Sequence, residues 1–192
     1  MVFLGIGGKN CAGKDTAAEY LIKKGFKYYS LSDEIREILN KEKIPITREN
    51  LIFYANEYRK KYGPDFFAKK VIQKIDKKNN AVIVSIRNLA ELQELKKLPF
   101  FYFIIIQADP KIRFERMLKR SRESDPKTLE EFLKFELAEE NQNENAQQLS
   151  KIVKLGDFYI ENNSTKDELY KKIDDVLLKI QNLNKQNLNK KE

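Results

Sequence analysis

The sequence predicts an α/β fold organised on a central, mostly parallel sheet. Short apolar runs alternate with amphipathic stretches along the chain, the order that strand–helix–strand winding produces. The run Phe100–Gln107 is aromatic and β-branched with no polar alternation, as in a strand covered on both faces. Val2–Gly7 is a short apolar strand that ends in glycine and leads into an amphipathic helix.

The elements follow in order. After the strand Val2–Gly7, a helix spans Gly13–Lys24, with Ala17, Ala18, Leu21 and Ile22 on one face and Gly25 closing it. Phe26–Tyr29 is a second strand, and Ser32 is placed to cap a helix over Asp33–Lys41. Pro45 breaks the chain. Arg48–Tyr62 and Asp65–Lys77 read as helices parted by Gly63-Pro64, Ala81–Ile86 as a strand, and Leu89–Lys96 as a short helix. Beyond Phe100–Gln107, Asp109-Pro110 opens a helix with proline in its first turn. Thr128-x-x-Glu131 is a capping-box pattern for a helix to about Asn141. Phe158–Glu161 is the last strand and Thr165–Ile180 the last helix. Residues 181–192 repeat Gln-Asn-Leu-Asn-Lys and predict a disordered or frayed low-complexity tail. No linker divides 1–180, so a single domain with inserted helices is expected.

Composition narrows the function classes. A chain of 192 residues can bury a sizeable core without staples. The single cysteine, Cys11, excludes an internal disulfide and fits a cytoplasmic location. Met1–Ile6 is too short for a signal-peptide core, and the longest apolar run, Phe100–Ile106, is too short to span a membrane. The net charge of +8 suits nucleic acid, a membrane surface or phosphorylated small molecules, and equally a lysine-rich composition. Arginine discriminates better: of eight arginines, four (Arg113, Arg116, Arg120, Arg122) crowd one short stretch. There is no histidine, which excludes imidazole as base, nucleophile or ligand. No interleaving of aromatic and basic residues suggests base stacking, which argues against a nucleic-acid module.

Gly8-Lys-Asn-Cys-Ala-Gly13-Lys14-Asp15-Thr16 fits the G-x-x-x-x-G-K phosphate loop, with threonine one position later than usual. Glycines let backbone N–H groups turn inward around phosphate oxygens, the following helix points its positive end at the same anion, and Lys14 can reach the outer phosphates. The expected ATP-binding set is therefore Gly8, Asn10, Ala12, Gly13, Lys14, Asp15 and Thr16. Asp15 stands where a hydroxyl usually holds Mg²⁺, so Thr16 becomes the candidate hydroxyl ligand.

Gly-Lys-Asp-Thr resembles the phosphate loop of phage-type deoxynucleoside monophosphate kinases and is close to the Gly-Lys-Gly-Thr of adenylate kinases. Ser30-Leu-Ser-Asp33-Glu-Ile-Arg36 resembles the Ser-Thr-Gly-Asp-x-x-Arg segment of adenylate-kinase-like enzymes. That resemblance implies a P-loop NTPase three-layer sandwich with helical acceptor-binding inserts (about 40–78) and an arginine-bearing lid (about 113–128). It implies Arg36 on the acceptor's phosphate and Asp33 beside the transferring phosphoryl group and its metal. Arg87, after the strand Ala81–Ile86, matches a second acceptor-phosphate arginine, but Val84-Ser85 replaces the expected Asp-Gly, so the usual acidic metal partner is missing. Arg48, Asn56 and Arg59 fall in the segment that resembles the acceptor-binding helices.

Arg113, Arg116 and Arg120 lie at i, i+3 and i+7 on one helix face. Arginines brought over a transferring phosphoryl group offset its spreading charge, and Arg116 and Arg120 are the candidates for that role. The segment Asp157–Thr165 resembles the last strand and loop of P-loop kinases, which flank the adenine, and so implicates Asn163. The resulting expectation is Mg²⁺- and ATP-dependent phosphoryl transfer, with Lys14, Asp33, Arg116 and Arg120 at the chemistry and Arg36, Arg87 and Arg59 on a nucleotide-like acceptor. Dephospho-CoA kinase, and a P-loop ATPase or regulatory nucleotide-binding protein without acceptor, stay open as alternatives.

Overall fold

The protein is described by a computed structural model over residues 1–120, 126–140 and 148–189. Five parallel strands stand in the order β2-β3-β1-β4-β5: β1 (Phe3–Gly7), β2 (Lys27–Ser30), β3 (Ala81–Val84), β4 (Phe101–Gln107) and β5 (Phe158–Glu161). One face is covered by α1 (Lys14–Lys23) and α9 (Lys166–Asn189). The other carries α2 (Leu31–Lys41), α3 (Arg48–Tyr62), α4 (Phe66–Lys74), α5 (Leu89–Leu95) and α8 (Leu149–Val153). Beyond the end of β4, α6 (Pro110–Arg120) packs against α7 (Leu129–Glu140), with the rings of Phe114 and Phe132 5.9 Å apart. This is the mostly parallel α/β sheet that the strand pattern predicts, in the three-layer P-loop NTPase architecture that the resemblance implies.

Successive residues of each central strand serve opposite layers, which is why these strands lack polar alternation. Leu4, Ile6, Ile104 and Ile106 pack with α1 and α9, while Phe3, Phe103 and Ile105 face the other layer. On that second face β1 presents Gly5 and Gly7, and the missing side chains make room for a neighbouring ring. A Cβ on Gly7 would lie 2.4 Å from Phe103 Cζ, and one on Gly5 2.7 Å from Phe101 Cζ.

Local signals set most boundaries. Thr47 caps α3 by accepting from Asn50 N, and Thr128 and Glu131 close a reciprocal capping box at α7. Three expectations change. The helix expected from Asp33 under a Ser32 cap begins at Leu31, because Ser30 stays registered with Val84 in the sheet and the chain turns directly into the helix. The short helix α8 has no equivalent in the sequence reading. The segment read as a frayed tail is helical as far as Asn189: α9 runs on along the sheet, and Tyr102 Oη donates to Asn184 Oδ1 at 2.5 Å. Tertiary contact there overrides weak intrinsic propensity. Residues 190–192 lie outside the described residues, as do Arg122 and Asp125 of the expected lid. Among the described residues no helix is long and apolar enough to cross a membrane.

The glycine–ring fit gives a stability prediction. Gly7→Ala should cost about 1–3 kcal/mol of unfolding free energy through overpacking. Phe103→Leu should recover part of that loss in the double variant, read as a positive coupling from urea-denaturation midpoints.

Candidate functional site

The carboxyl ends of β1, β2 and β3 open onto a cavity of about 710 Å³, at the point where the strand order reverses around β1. The phosphate loop forms one wall. Gly8 has φ +136, and a Cβ there would sit 2.1 Å from the carbonyl oxygen of Ile106, so the position requires glycine. Gly13, at φ +106, begins α1 with no side-chain cap, which leaves the first N–H groups of the helix for an anion.

A loop that turns its N–H groups inward turns carbonyls outward, and here three of them meet side-chain donors. Lys14 Nζ donates to Lys9 O at 2.8 Å, Arg113 Nη1 to Asn10 O at 3.3 Å, and Asn162 Nδ2 to Ala12 O at 2.8 Å. Arg113 is buried and also donates to both carboxylate oxygens of Glu136 and, through Nε, to Ala108 O at 3.0 Å. Glu136 in turn lies 3.8 Å from Lys9 Nζ. Lys14 thus sits among cations. Burial first, and then the Arg87 guanidinium, push its ammonium down to about 8.

The opposite wall comes from α2, α3 and the turn after β3. Lys14, Arg36, Arg48, Arg59, Arg87 and Arg120 line the cavity against two carboxylates, Asp15 and Asp33. Arg36 Nη1 donates to Ser32 Oγ at 2.7 Å and to Asp33 Oδ1 at 3.1 Å. The hydroxyls of Ser30, Ser32 and Ser85 form a triangle of 3.1–3.2 Å edges. Ser85 has φ +63, so it takes the left-handed backbone that glycine would take more cheaply, at a cost of about 1–3 kcal/mol. Arg48 lies 4.5 Å over the Phe135 ring, which brings α3 to α7 at the cavity. Asn56 is also in the wall.

Several expected residues have other surroundings. Arg113, Arg116 and Arg120 share a helical stripe but not a target. Arg120 lines the cavity, whereas Arg116 lies outside its lining and donates through Nη2 to Asn162 O at 2.9 Å and Ser164 O at 3.5 Å. Arg59 is in the cavity wall but is buried, with Nε and Nη2 both on Glu91. Asn163 ties a turn, accepting from Asp109 N and donating to Glu161, while its neighbour Asn162 reaches the phosphate loop. Asn162 and Glu91 were not among the sequence candidates. A single buried amide or carboxylate whose partners lie far away in sequence leaves no local signature.

The groups present fit a nucleotide polyphosphate: glycines that admit its oxygens, an uncapped helix N-terminus and Lys14. For a divalent cation the lining differs from the expected set. Val84 is buried and apolar where an acid was expected, and Thr16 is not in the cavity wall, whereas Asp15 and Asp33 are. Among the described residues no three metal-binding acidic or thiol side chains cluster. A cation here would depend chiefly on phosphate oxygens and water, with Asp15 and Asp33 as the nearby carboxylates.

Fold and loop together define a P-loop NTPase-fold protein of kinase-like architecture. A family model described as an AAA domain matches residues 4–149. A UPF0200 protein of Sulfurisphaera tokodaii is 32% identical over 177 residues, 92% of this chain and 96% of that one. Another, from Pyrococcus horikoshii, is 34% identical over 176 residues, 88% of this chain and 92% of that one. The chain belongs to this AAA domain family and to the UPF0200 proteins. Among solved structures, a shikimate kinase from Bacteroides thetaiotaomicron aligns with a TM-score of 0.59 at 12% identity, covering 92% of this chain and 98% of that one. A gluconokinase from Sinorhizobium meliloti aligns with a TM-score of 0.58 at 14% identity, covering 96% and 97%. These likenesses show the fold.

The depressed Lys14 ammonium sets a pH prediction. A bound polyphosphate stabilises the protonated form, so the complex holds more protons than the free protein once pH exceeds about 8. ATP affinity should therefore fall as pH rises through 8. Calorimetry at pH 8.5 in buffers of different ionisation enthalpy should show proton uptake, which vanishes in Lys14→Met and shrinks in Arg87→Ala.

Proposed function

We propose that this protein transfers the γ-phosphoryl group of ATP to a (deoxy)nucleoside monophosphate or a similar nucleotide. The observation that carries this reading is the charge pattern of one cavity. A phosphate loop lies at its base, and five arginines besides Lys14 face two carboxylates. A site for ATP alone needs no arginines on α2, α3 and the β3–α5 turn. A second phosphorylated substrate does, because guanidinium groups grip phosphate oxygens bidentately. In this reading Lys14 and Arg120 offset charge on the transferring group, and Arg36, Arg87 and Arg59 hold the acceptor's phosphate. Asp33 orients Arg36 and, with Asp15, faces the hydrated Mg²⁺. Arg116 acts from the loop after β5, which would flank the adenine together with Asn163.

A hydroxyl acceptor, as in dephospho-CoA kinase, is favoured by one observation. Asp33 puts an exposed carboxylate in the same wall, where it could take a proton from a hydroxyl. A phosphate oxygen needs no such base.

Purified protein with ATP·Mg²⁺ and a panel of ribo- and deoxynucleoside monophosphates plus dephospho-CoA decides among these by its products. The expected product is a nucleoside diphosphate, a 3′-phosphorylated product supports the second reading, and ATP consumption that no acceptor stimulates refutes both. Lys14→Ala should lower kcat/KM by about 10²–10³-fold. Arg36→Ala and Arg87→Ala should each raise the acceptor KM by about 10–100-fold with little change for ATP, matching the loss of one charge-assisted contact.

A further inference from the structure

Glu91 is a fully buried carboxylate at the first turn of α5. A capping box asks it for one bond, to Asn88 N at 3.3 Å. It makes three more. Oε2 also accepts from Arg87 N at 2.9 Å, and Oε1 accepts from Arg59 Nε at 3.0 Å and Nη2 at 2.8 Å. The Arg59 guanidinium lies 5.4 Å over the Phe67 ring, and Asn88 Nδ2 anchors the turn to Pro64 O at 3.1 Å. One carboxylate therefore fixes two residues of the cavity wall: the guanidinium of Arg59 from α3, and the backbone from which Arg87 springs. A glutamine could complete the capping box, but its amide would present donors where donors already converge, so the acceptor-only carboxylate is the group this position needs.

We infer that Glu91 is a positioning residue that couples Arg59 and Arg87 into one clamp for the acceptor's phosphate. The inference rests on the acceptor-side reading of those two arginines. Glu91 touches no substrate. It sets the spacing and orientation of two groups that do, so that the clamp is formed before the acceptor arrives and loses little freedom on binding.

The test uses the full-length protein with its phosphate loop saturated by a non-hydrolysable ATP analogue and Mg²⁺, titrated with inorganic phosphate. Glu91→Gln should weaken phosphate binding by about tenfold or more, as loss of an orienting partner does at other preorganised sites. The analogue's own affinity should stay within about twofold, because its loop lies on other elements. Glu91→Asp keeps the charge but shortens its reach, and should weaken phosphate binding by an intermediate factor. It decides the question if the glutamine variant does not fold. Val71→Ala, which loosens the same core cluster one helical turn along α4 from Phe67, should leave phosphate affinity near wild type. The clamp is overturned if Glu91→Asp or a folded Glu91→Gln binds phosphate like wild type. It is overturned too if Val71→Ala weakens it equally, or if the wild-type complex binds no phosphate. Glu91-dependent phosphate binding without turnover of any nucleoside monophosphate would refute the acceptor assignment and leave the clamp standing.

Discussion

A phosphate loop can face its amides toward an anion only if its carbonyls are satisfied elsewhere, and much of this structure answers that demand. The carbonyls of Lys9, Asn10 and Ala12 are bonded by Lys14, Arg113 and Asn162, from α1, α6 and the end of β5. Leaving the Asn10 or Ala12 carbonyl buried without a donor would cost about 1–3 kcal/mol, whereas Lys9 O also accepts from Ala12 N at 3.3 Å. Gly8 meets the matching steric demand, because its backbone lies against the carbonyl of Ile106 with no space for a side chain. The loop is thus set from three sides by elements that are far apart in sequence. One of the three donors is also the loop's own functional lysine.

The buried cations are arranged by buried acids. Arg113 is held by Glu136 and Arg59 by Glu91, and in both pairs the partners are almost wholly enclosed. Such pairs add little net stability, because desolvation offsets most of their attraction, yet breaking one leaves an uncompensated charge inside. They hold geometry instead. The pair on α6 and α7 seats those helices against the phosphate loop, and the pair on α3 and α5 sets the far wall. Arg36 contrasts with both: its partner Asp33 is more than half exposed, so this pair is screened by solvent and free to reorganise.

The layered parallel sheet and the phosphate loop were legible in the sequence because their signals are local. An apolar run without alternation, two glycines at the motif spacing and an amphipathic helix each declare themselves within ten or so residues. The opposite wall was legible as a set of arginines but not as an arrangement. Helical spacing put Arg113, Arg116 and Arg120 on one stripe, yet long side chains leave such a stripe for whichever acceptor is nearest. Arg113 turned inward to Glu136, Arg116 to the loop after β5 and Arg120 to the cavity. Helical order through Asn189 was hidden for a related reason. Four of the nine residues 181–189 are asparagine, a poor helix former, and the contact with Tyr102 supports the segment.

The most unusual feature of the site is where its negative charge lies. β3 ends in buried Val84 rather than an acid, and the next residue, Ser85, accepts an uncomfortable backbone to join the hydroxyls of Ser30 and Ser32. A buried valine therefore stands where a carboxylate was expected, with uncharged hydroxyls beside it. The carboxylates occur instead at Asp15, on the first turn of α1, and at Asp33, on α2. Asp15 lies beside Lys14 and favours its charged form, against burial and the pull of Arg87. Moving an acid from the sheet to the helix that follows the phosphate loop thus does two things at once. It keeps a carboxylate within the cavity, and it partly restores the charge of a lysine that burial and the neighbouring Arg87 work to neutralise. A site this rich in guanidinium groups needs such a counterweight close to its lysine, and the first turn of α1 is the nearest place the fold can supply it.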